Sequence, residues 1–292
     1  MPALVMTVYL NGEYLPLEQA RVPVLDRGFI FGDGVYEMIP AYSRRPFRLD
    51  QHLARLQASL QAVSIANPHA DAAWAGIIAR IIAAHPWEDQ GLYLQVTRGV
   101  APRDHRFPRQ PLAPTVMVMS NPLVTPAKEQ VENGGAAITL EDFRWLRCDI
   151  KSISLLGNCM LRTAAAAAGC VEAILVREGF LTEASASNVF IVREGAAIAP
   201  PKSHLMLPGI TYDVVLEILR ENGMRHEVRP VTRAELGSAE EIWVTSSSKE
   251  VLAITTLDGA PVGAGRPGPV FHRVYPLYQQ FKARVMRAAA HA

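Results

Sequence analysis

The chain reads as an α/β (α+β) protein of two domains, and three observations predict this. Short strand-like runs and two amphipathic helical runs fill the first 120 residues. Strands alternate with helices beyond residue 131. Between them lies 121–129, with prolines at 122 and 126, which reads as a linker. The expected division is a smaller N-terminal α+β domain over 1–120, a linker over 121–130 and a larger C-terminal mixed α/β domain over 131–292.

Taken in order, residues 5–10 alternate as a strand, Asn11-Gly12 supplies the pair that a two-residue hairpin turn demands, and 13–16 returns. Residues 21–25 read as another strand. Within 26–37, Gly28, Gly32 and Gly34 force tight backbone before a strand that reaches Tyr42 and turns over 43–46. Gly32 and Gly34 suit a plain turn better than a phosphate loop. Asp50 is expected to cap a helix whose Leu53, Leu56, Leu60 and Val63 recur at helical spacing, and a second helix is expected over 71–85. Strands over 91–98 and 115–120 flank a polar loop, 101–109. Beyond the linker come a strand at 136–140, a helix at 155–168 closed by Gly169, and strands at 172–176, 180–182 and 189–192. A helix at 209–221 ends at Asn222-Gly223, strands follow at 225–229 and 241–245, and a last helix covers 271–290. The run from Val262 to Gly268 spells a dinucleotide fingerprint on paper. Pro267 and Pro269 would interrupt its strand-to-helix turn, and too little chain follows for a βαβ unit.

Composition removes several classes of function. A net charge of +1 with 20% charged residues provides no basic field for nucleic acid. The first cationic side chain is Arg21, so the charged-then-apolar layout of a signal peptide is missing. The longest uncharged run, 111–127, contains four prolines and cannot be a membrane span. Cys148, Cys159 and Cys170 fit reduced thiols in a cytoplasmic protein, and the eight histidines lack ligand spacing, so no metal is expected.

The chemistry centres on Lys151, one of only five lysines. Ile150, Ile153, Leu155 and Leu156 surround it in sequence, and apolar neighbours that dehydrate an ammonium lower its pKa, as an amine nucleophile or base requires. An edge-strand lysine with its stem on apolar surface fits the same stretch. The loop 101–109 holds Arg103, His105, Arg106 and Arg109 with little acid to balance them, as either a solvated tip or a site for a small anion. Pro208-Gly209-Ile210-Thr211 precedes an amphipathic helix whose free amides could hold a phosphate, and Ser246-Ser247-Ser248 offers further hydroxyls. Each alone is more often a cap or turn. With a dehydrated lysine they point to a phosphorylated aldehyde cofactor, and Glu183 would be either a surface carboxylate or the partner of a pyridinium nitrogen.

Several segments carry a resemblance: 26–37 (Asp26 through Glu37), Val96 to Pro108, Trp145 to Lys151, Thr182-Glu183 to Phe190, and Gly209-Ile210-Thr211. They resemble the fold-type IV pyridoxal phosphate enzymes over nearly the whole chain and, within that class, the bacterial D-amino acid aminotransferases. The resemblance implies a barrel-like C-terminal domain, pyridoxal 5'-phosphate as cofactor, and a homodimer with shared active sites. It implies that Lys151 is joined to the cofactor's aldehyde, that Glu183 sits by the pyridine nitrogen and that Leu207 packs on the ring. Arg55, Ile210, Thr211 and Ser247 would bind the phosphate. Arg103 and His105, reaching across the dimer, would trap the substrate carboxylate with Tyr36. The implied reaction moves the amino group of D-amino acids, of the D-alanine or D-glutamate type, to 2-oxo acids. Branched-chain L-aminotransferases and aminodeoxychorismate lyases belong to the same class. Ala186 stands where this class often has serine, Pro208 replaces a more polar residue, and Ser247 replaces a threonine while keeping the hydroxyl.

Overall fold

Alternating burial arranges the first part of the chain as a six-stranded antiparallel sheet. Its strands are β1 (Thr7–Leu10), β2 (Glu13–Pro16), β3 (Gly34–Tyr42), β4 (Arg45–Pro46), β5 (Gln90–Thr97) and β6 (Thr115–Pro122), in the order β2-β1-β6-β5-β3-β4. The computed structural model describes residues 6–287. Val5 and residues 288–290, included in the expected first strand and last helix, lie outside the described residues. The β1–β2 turn uses Asn11 and Gly12, both at positive φ as that hairpin chemistry requires. Helices α1 (Arg27–Phe31), α2 (Leu49–Ala62) and α3 (Asp71–Ala83) complete this unit. Leu53, Leu56 and Leu60 of α2 and Trp74, Ile78 and Ile81 of α3 pack with Val35, Ile39, Leu92 and Leu94 in one core. Burying each such side chain is worth about 1.5–3 kcal/mol relative to exposure.

Three local expectations change here. Residues 21–25 form no strand: all five are exposed, so no apolar face rewards pairing, and the Asp26 N–H closes a turn on the Pro23 carbonyl at 2.9 Å. The cap of α2 is Arg48 in a left-handed conformation, and Asp50 sits inside the first turn, where its charge faces the positive end of the helix dipole. The short helix α1 was not expected. Asp26 creates it by accepting the Gly28 N–H at 2.8 Å, and Gly32 ends it at φ 66°.

The second unit is built on nine strands: β7 (Gly135–Glu141), β8 (Glu172–Arg177), β9 (Phe180–Ala184), β10 (Asn188–Arg193), β11 (Ala196–Ala199), β12 (His226–Val228), β13 (Glu241–Ser246), β14 (Glu250–Leu257) and β15 (Ala260–Pro261). Their order is β12-β11-β10-β13-β14-β7-β8-β9, with β15 on β14. β9 and β10 lie five positions apart in that order, yet only residues 185–187 separate them in sequence. The sheet must therefore curl back on itself, giving the expected barrel-like form. Helices α4 (Lys128–Asn133), α5 (Leu156–Ala167), α6 (Ile210–Glu221), α7 (Arg233–Gly237) and α8 (Pro269–Phe281) belong to this unit. Strands β11 and β14 and helices α4 and α7 were not anticipated. β14 is buried between β13 and β7, so its side chains show no polar alternation.

Among the described residues the chain divides into one unit through Leu123 together with Ile150–Leu155, and another comprising Val124–Asp149 and residues 156–287. Lys151 therefore groups with the first unit, although it follows the linker in sequence. The reason is local: Ile150 joins the first core, Ser152 bridges to Val35, and the Ile153 N–H donates to Gly34 O at 3.1 Å. Among the described residues no helix is long and apolar enough to cross a membrane.

Candidate active site

Lys151 is 9% exposed on an irregular segment laid along β3. Its carbonyl accepts the Tyr36 N–H at 2.9 Å, its own N–H donates to Ser59 Oγ at 3.2 Å, and its Nζ lies 4.2 Å from the centre of the Tyr36 ring. The sequence allowed either a dehydrated amine or an edge lysine with its head in water, and this burial favours the former. Glycine makes the approach possible. A Cβ at Gly34 would lie 2.7 Å from Val96 O and 3.0 Å from Ile153 Cδ1, and one at Gly32 would lie 2.6 Å from Ser154 Oγ. Glycines read from sequence as a plain turn are thus also the seam that admits the lysine segment.

On the same unit, Arg55 grips Glu37 in a fork, Nε to Oε1 at 2.7 Å and Nη2 to Oε2 at 2.8 Å, while His52 Nδ1 donates to Oε2 at 2.8 Å. Burial works to raise the Glu37 carboxyl, but Arg55 and His52 outweigh it and hold the pKa down to about 2. Burial lowers the His52 pKa, and the ionised Glu37 carboxylate, which can only accept, places a proton on Nδ1. Glu37 and His52 had not been singled out from sequence. The alternation of β3 and the i,i+3 spacing of His52 and Arg55 were the available signals.

Arg103 and His105 are exposed and share one platform: the Arg103 guanidinium carbon and the His105 ring centre each lie 5.5 Å from the centre of the Phe31 ring. The loop is anchored beneath them. Arg27 Nη1 donates to Asp104 O at 2.6 Å, and Arg98 lies 3.7 Å from the centre of the Phe107 ring. Asp33 joins both arginines, with Arg27 Nε at 2.7 Å and Arg98 Nε at 2.8 Å.

In the second unit, Glu183 stands next to last in β9 with only 5% exposure. Burial pushes its carboxyl up to about 7, a rise opposed by Arg144, whose Nη1 lies 2.5 Å from Oε1, and by the Leu207 N–H, which donates to Oε2 at 3.1 Å. The Asn188 amide adds a contact to Oε2 at 3.4 Å and donates to Leu207 O at 2.9 Å, so Glu183 and Leu207 are held together. Arg144 is itself gripped by Asp142, Nε to Oδ1 at 2.9 Å and Nη2 to Oδ2 at 2.9 Å. Sequence reading missed Arg144 and Asn188 because a buried pair distant in sequence leaves no periodicity.

Helix α6 begins at Ile210 after Gly209 and has no side-chain cap, so its first amides point away unpaired by any such group. Thr211 stands in that turn, and a Cβ at Gly209 would clash with Asn188 Oδ1. Ser247 is half-buried in the turn between β13 and β14.

Comparison with known proteins agrees with this arrangement. Residues 34–257 match the family model described as amino-transferase class IV. The chain is 41% identical over 274 residues to a D-alanine aminotransferase of Bacillus licheniformis, covering 94% of this chain and 96% of that one. A D-alanine aminotransferase of Listeria monocytogenes is 36% identical, with 97% of each covered. A solved T.th. branched-chain amino acid aminotransferase, with pyridoxamine 5'-phosphate, is similar at a TM-score of 0.88 and 27% identity, covering 97% of this chain and 96% of the other. From the segments around Lys151 and Glu183 to the curl of the second sheet, these likenesses agree: the chain belongs to the class IV aminotransferases.

Proposed function

We propose that this protein transaminates D-amino acids, D-alanine among them, with 2-oxo acids as acceptors and pyridoxal 5'-phosphate as cofactor. The observation that carries the reading is the pairing of Arg103 and His105 on Phe31, an exposed guanidinium beside an imidazole whose N–H groups suit a carboxylate. The similarity to D-alanine aminotransferases over most of the chain supports it.

The residues fit the cofactor chemically. The uncapped first turn of α6, with the amides of Ile210 and Thr211, the Thr211 hydroxyl and Ser247, is a donor set suited to phosphate; on the first unit Arg55, whose orientation Glu37 fixes, is the cation that the family resemblance assigns to the same group. A carboxylate whose ionisation burial opposes, as at Glu183, gains most from a cation beside it, which a protonated ring nitrogen would be. When bound, pyridoxal phosphate supplies an aldehyde for the amino group and a ring that accepts electrons from the broken Cα–H bond. Lys151, buried with its Nζ beside the Tyr36 ring, would be the amine that holds the aldehyde. As a free amine the same Nζ would serve as the base that moves the substrate Cα proton. Glu183 would hold a protonated ring nitrogen, and Leu207, tied to it through its N–H, would pack on the ring. Arg103, His105 and Tyr36 fix the substrate carboxylate, which decides the enantiomer whose Cα–H faces Lys151.

The test is a half-reaction. Holoenzyme mixed separately with D-alanine and L-leucine should change its visible absorbance with D-alanine and remain unchanged with L-leucine over the same period. The structural likeness to a branched-chain aminotransferase motivates the second reading, an L-specific enzyme, and the reverse result would establish it. Release of pyruvate from aminodeoxychorismate without an acceptor would instead mark a lyase.

A further inference from the structure

Behind the Ser246–Ser248 turn lies a buried charge that the mechanism leaves unused. Glu172 is 0% exposed, and four groups surround its carboxylate: the Ser185 hydroxyl, the Ser187 hydroxyl at 2.9 Å, the Ala173 N–H at 3.1 Å and the Lys249 ammonium at 2.8 Å. Lys249 Nζ also reaches Ser187 Oγ at 3.1 Å, and the Lys249 N–H donates to Ser246 Oγ at 3.0 Å. A carboxylate this deep requires a partner, and here the partner is the last residue of the hydroxyl-bearing turn.

The other end of the tie is equally placed. Ser185 and Ser187 belong to the turn 184–188, which starts beside Glu183 and ends at Asn188, whose amide contacts both Glu183 and Leu207 O. One ammonium therefore joins the turn carrying Ser247 to the turn carrying the Glu183–Asn188 contact. Neither turn can drift from the other without breaking a charged hydrogen bond to a buried group.

We propose that Lys249 is a positioning residue: by bonding Glu172 and Ser187 it fixes the Ser246–Ser248 turn against residues 184–188, and so presents Ser247 to the cofactor phosphate. This rests on the reading above that Ser247 takes part in phosphate binding.

The experiment compares full-length, cofactor-freed wild type with the Lys249→Met, Lys249→Arg, Glu172→Gln/Lys249→Met and Ser247→Ala proteins, each titrated with pyridoxal phosphate and with pyridoxal, which lacks the phosphate. Ser247→Ala, Lys249→Met and the double variant should each bind pyridoxal phosphate about tenfold or more weakly, since each loses a hydrogen bond or its geometry, and bind pyridoxal as wild type does. Lys249→Arg should retain most of the affinity. The double variant removes both buried charges, so it keeps the test decisive if Lys249→Met alone does not fold. Wild-type phosphate affinity in a folded double variant, with Ser247→Ala weakened, overturns the role of Lys249 alone. Equal weakening toward both ligands also overturns it, because that is the mark of general loosening. Wild-type affinity in Ser247→Ala would instead overturn the underlying phosphate assignment.

Discussion

Glu37 shows how one buried residue governs others. Its carboxylate is the shared acceptor for Arg55 and His52, and its depressed pKa becomes a statement about stability. The folded value of about 2 lies below the ordinary 4.5, so the native state favours the ionised form. The resulting stabilisation is fully present above pH 4.5 and fades as pH falls toward 2. Converted at the usual rate this amounts to about 3 kcal/mol. Glu37→Gln should therefore be less stable by about that amount at neutral pH, with the difference from wild type vanishing toward the acid end. Urea unfolding at a series of pH values checks this, and a constant gap down to pH 2 would contradict it. The same substitution frees Arg55 from its fork, so weaker retention of pyridoxal phosphate at neutral pH is the functional counterpart.

At the scale of elements, the seam between β3 and the segment 150–155 carries the most consequence. Val35 pairs with Ser152, Tyr36 with Lys151, and Gly34 with Ile153, so the lysine is set by a strand that adds only a few bonds to the sheet. Gly34 has no room for a side chain because Val96 O, Ile153 and Thr97 all crowd its missing Cβ. Gly34→Ala should cost about 1–3 kcal/mol through overpacking, and it should move the lysine segment first. The expected result is a lowered thermal midpoint together with faster loss of cofactor colour at a temperature where the far-ultraviolet spectrum is still native. Gly237→Ala, where a Cβ meets nothing within 4 Å inside α7, is the control and should change neither. A Gly34→Ala protein that keeps its colour as wild type does would show that the seam does not hold Lys151.

For the whole molecule, the question is whether Arg103 and His105 serve the site of their own chain or, in the dimer that the family resemblance implies, that of a neighbour. Arg103 is exposed in the single chain; if substrate and a neighbouring subunit bury its contact to the carboxylate, truncation removes roughly 2–5 kcal/mol, and Arg103→Ala should lose very roughly 30- to 3000-fold in kcat/KM. Lys151→Ala should be inactive for lack of the amine. If the trap is lent by a neighbour, refolding the two variants together makes mixed dimers with one complete site, and activity should return to about a quarter of wild type. If each chain supplies its own trap, the mixture stays inactive. Measuring turnover of D-alanine before and after mixing separates the two.

Much of this protein was legible without coordinates. The helices α2, α3 and α6 follow from leucine, isoleucine and valine at helical spacing, and most strands follow from apolar runs closed by Asn-Gly, Gly or Pro. Lys151, Glu183 and the arginine-rich loop 101–109 drew attention by type and neighbourhood, but each also fitted a surface role, and the roles given to them came from the family resemblance. What lay beyond reach depends on residues distant in sequence. The span β14 lacks polar alternation because both neighbours bury it, and residues 21–25, though rich in valine and leucine, are exposed and join no sheet. The Arg144–Glu183 contact, the Glu37 triad, the Lys249–Glu172 tie and the glycine seam beside Lys151 were decided by tertiary structure, since a buried charge or a missing Cβ has meaning only once the chain has chosen what stands opposite it.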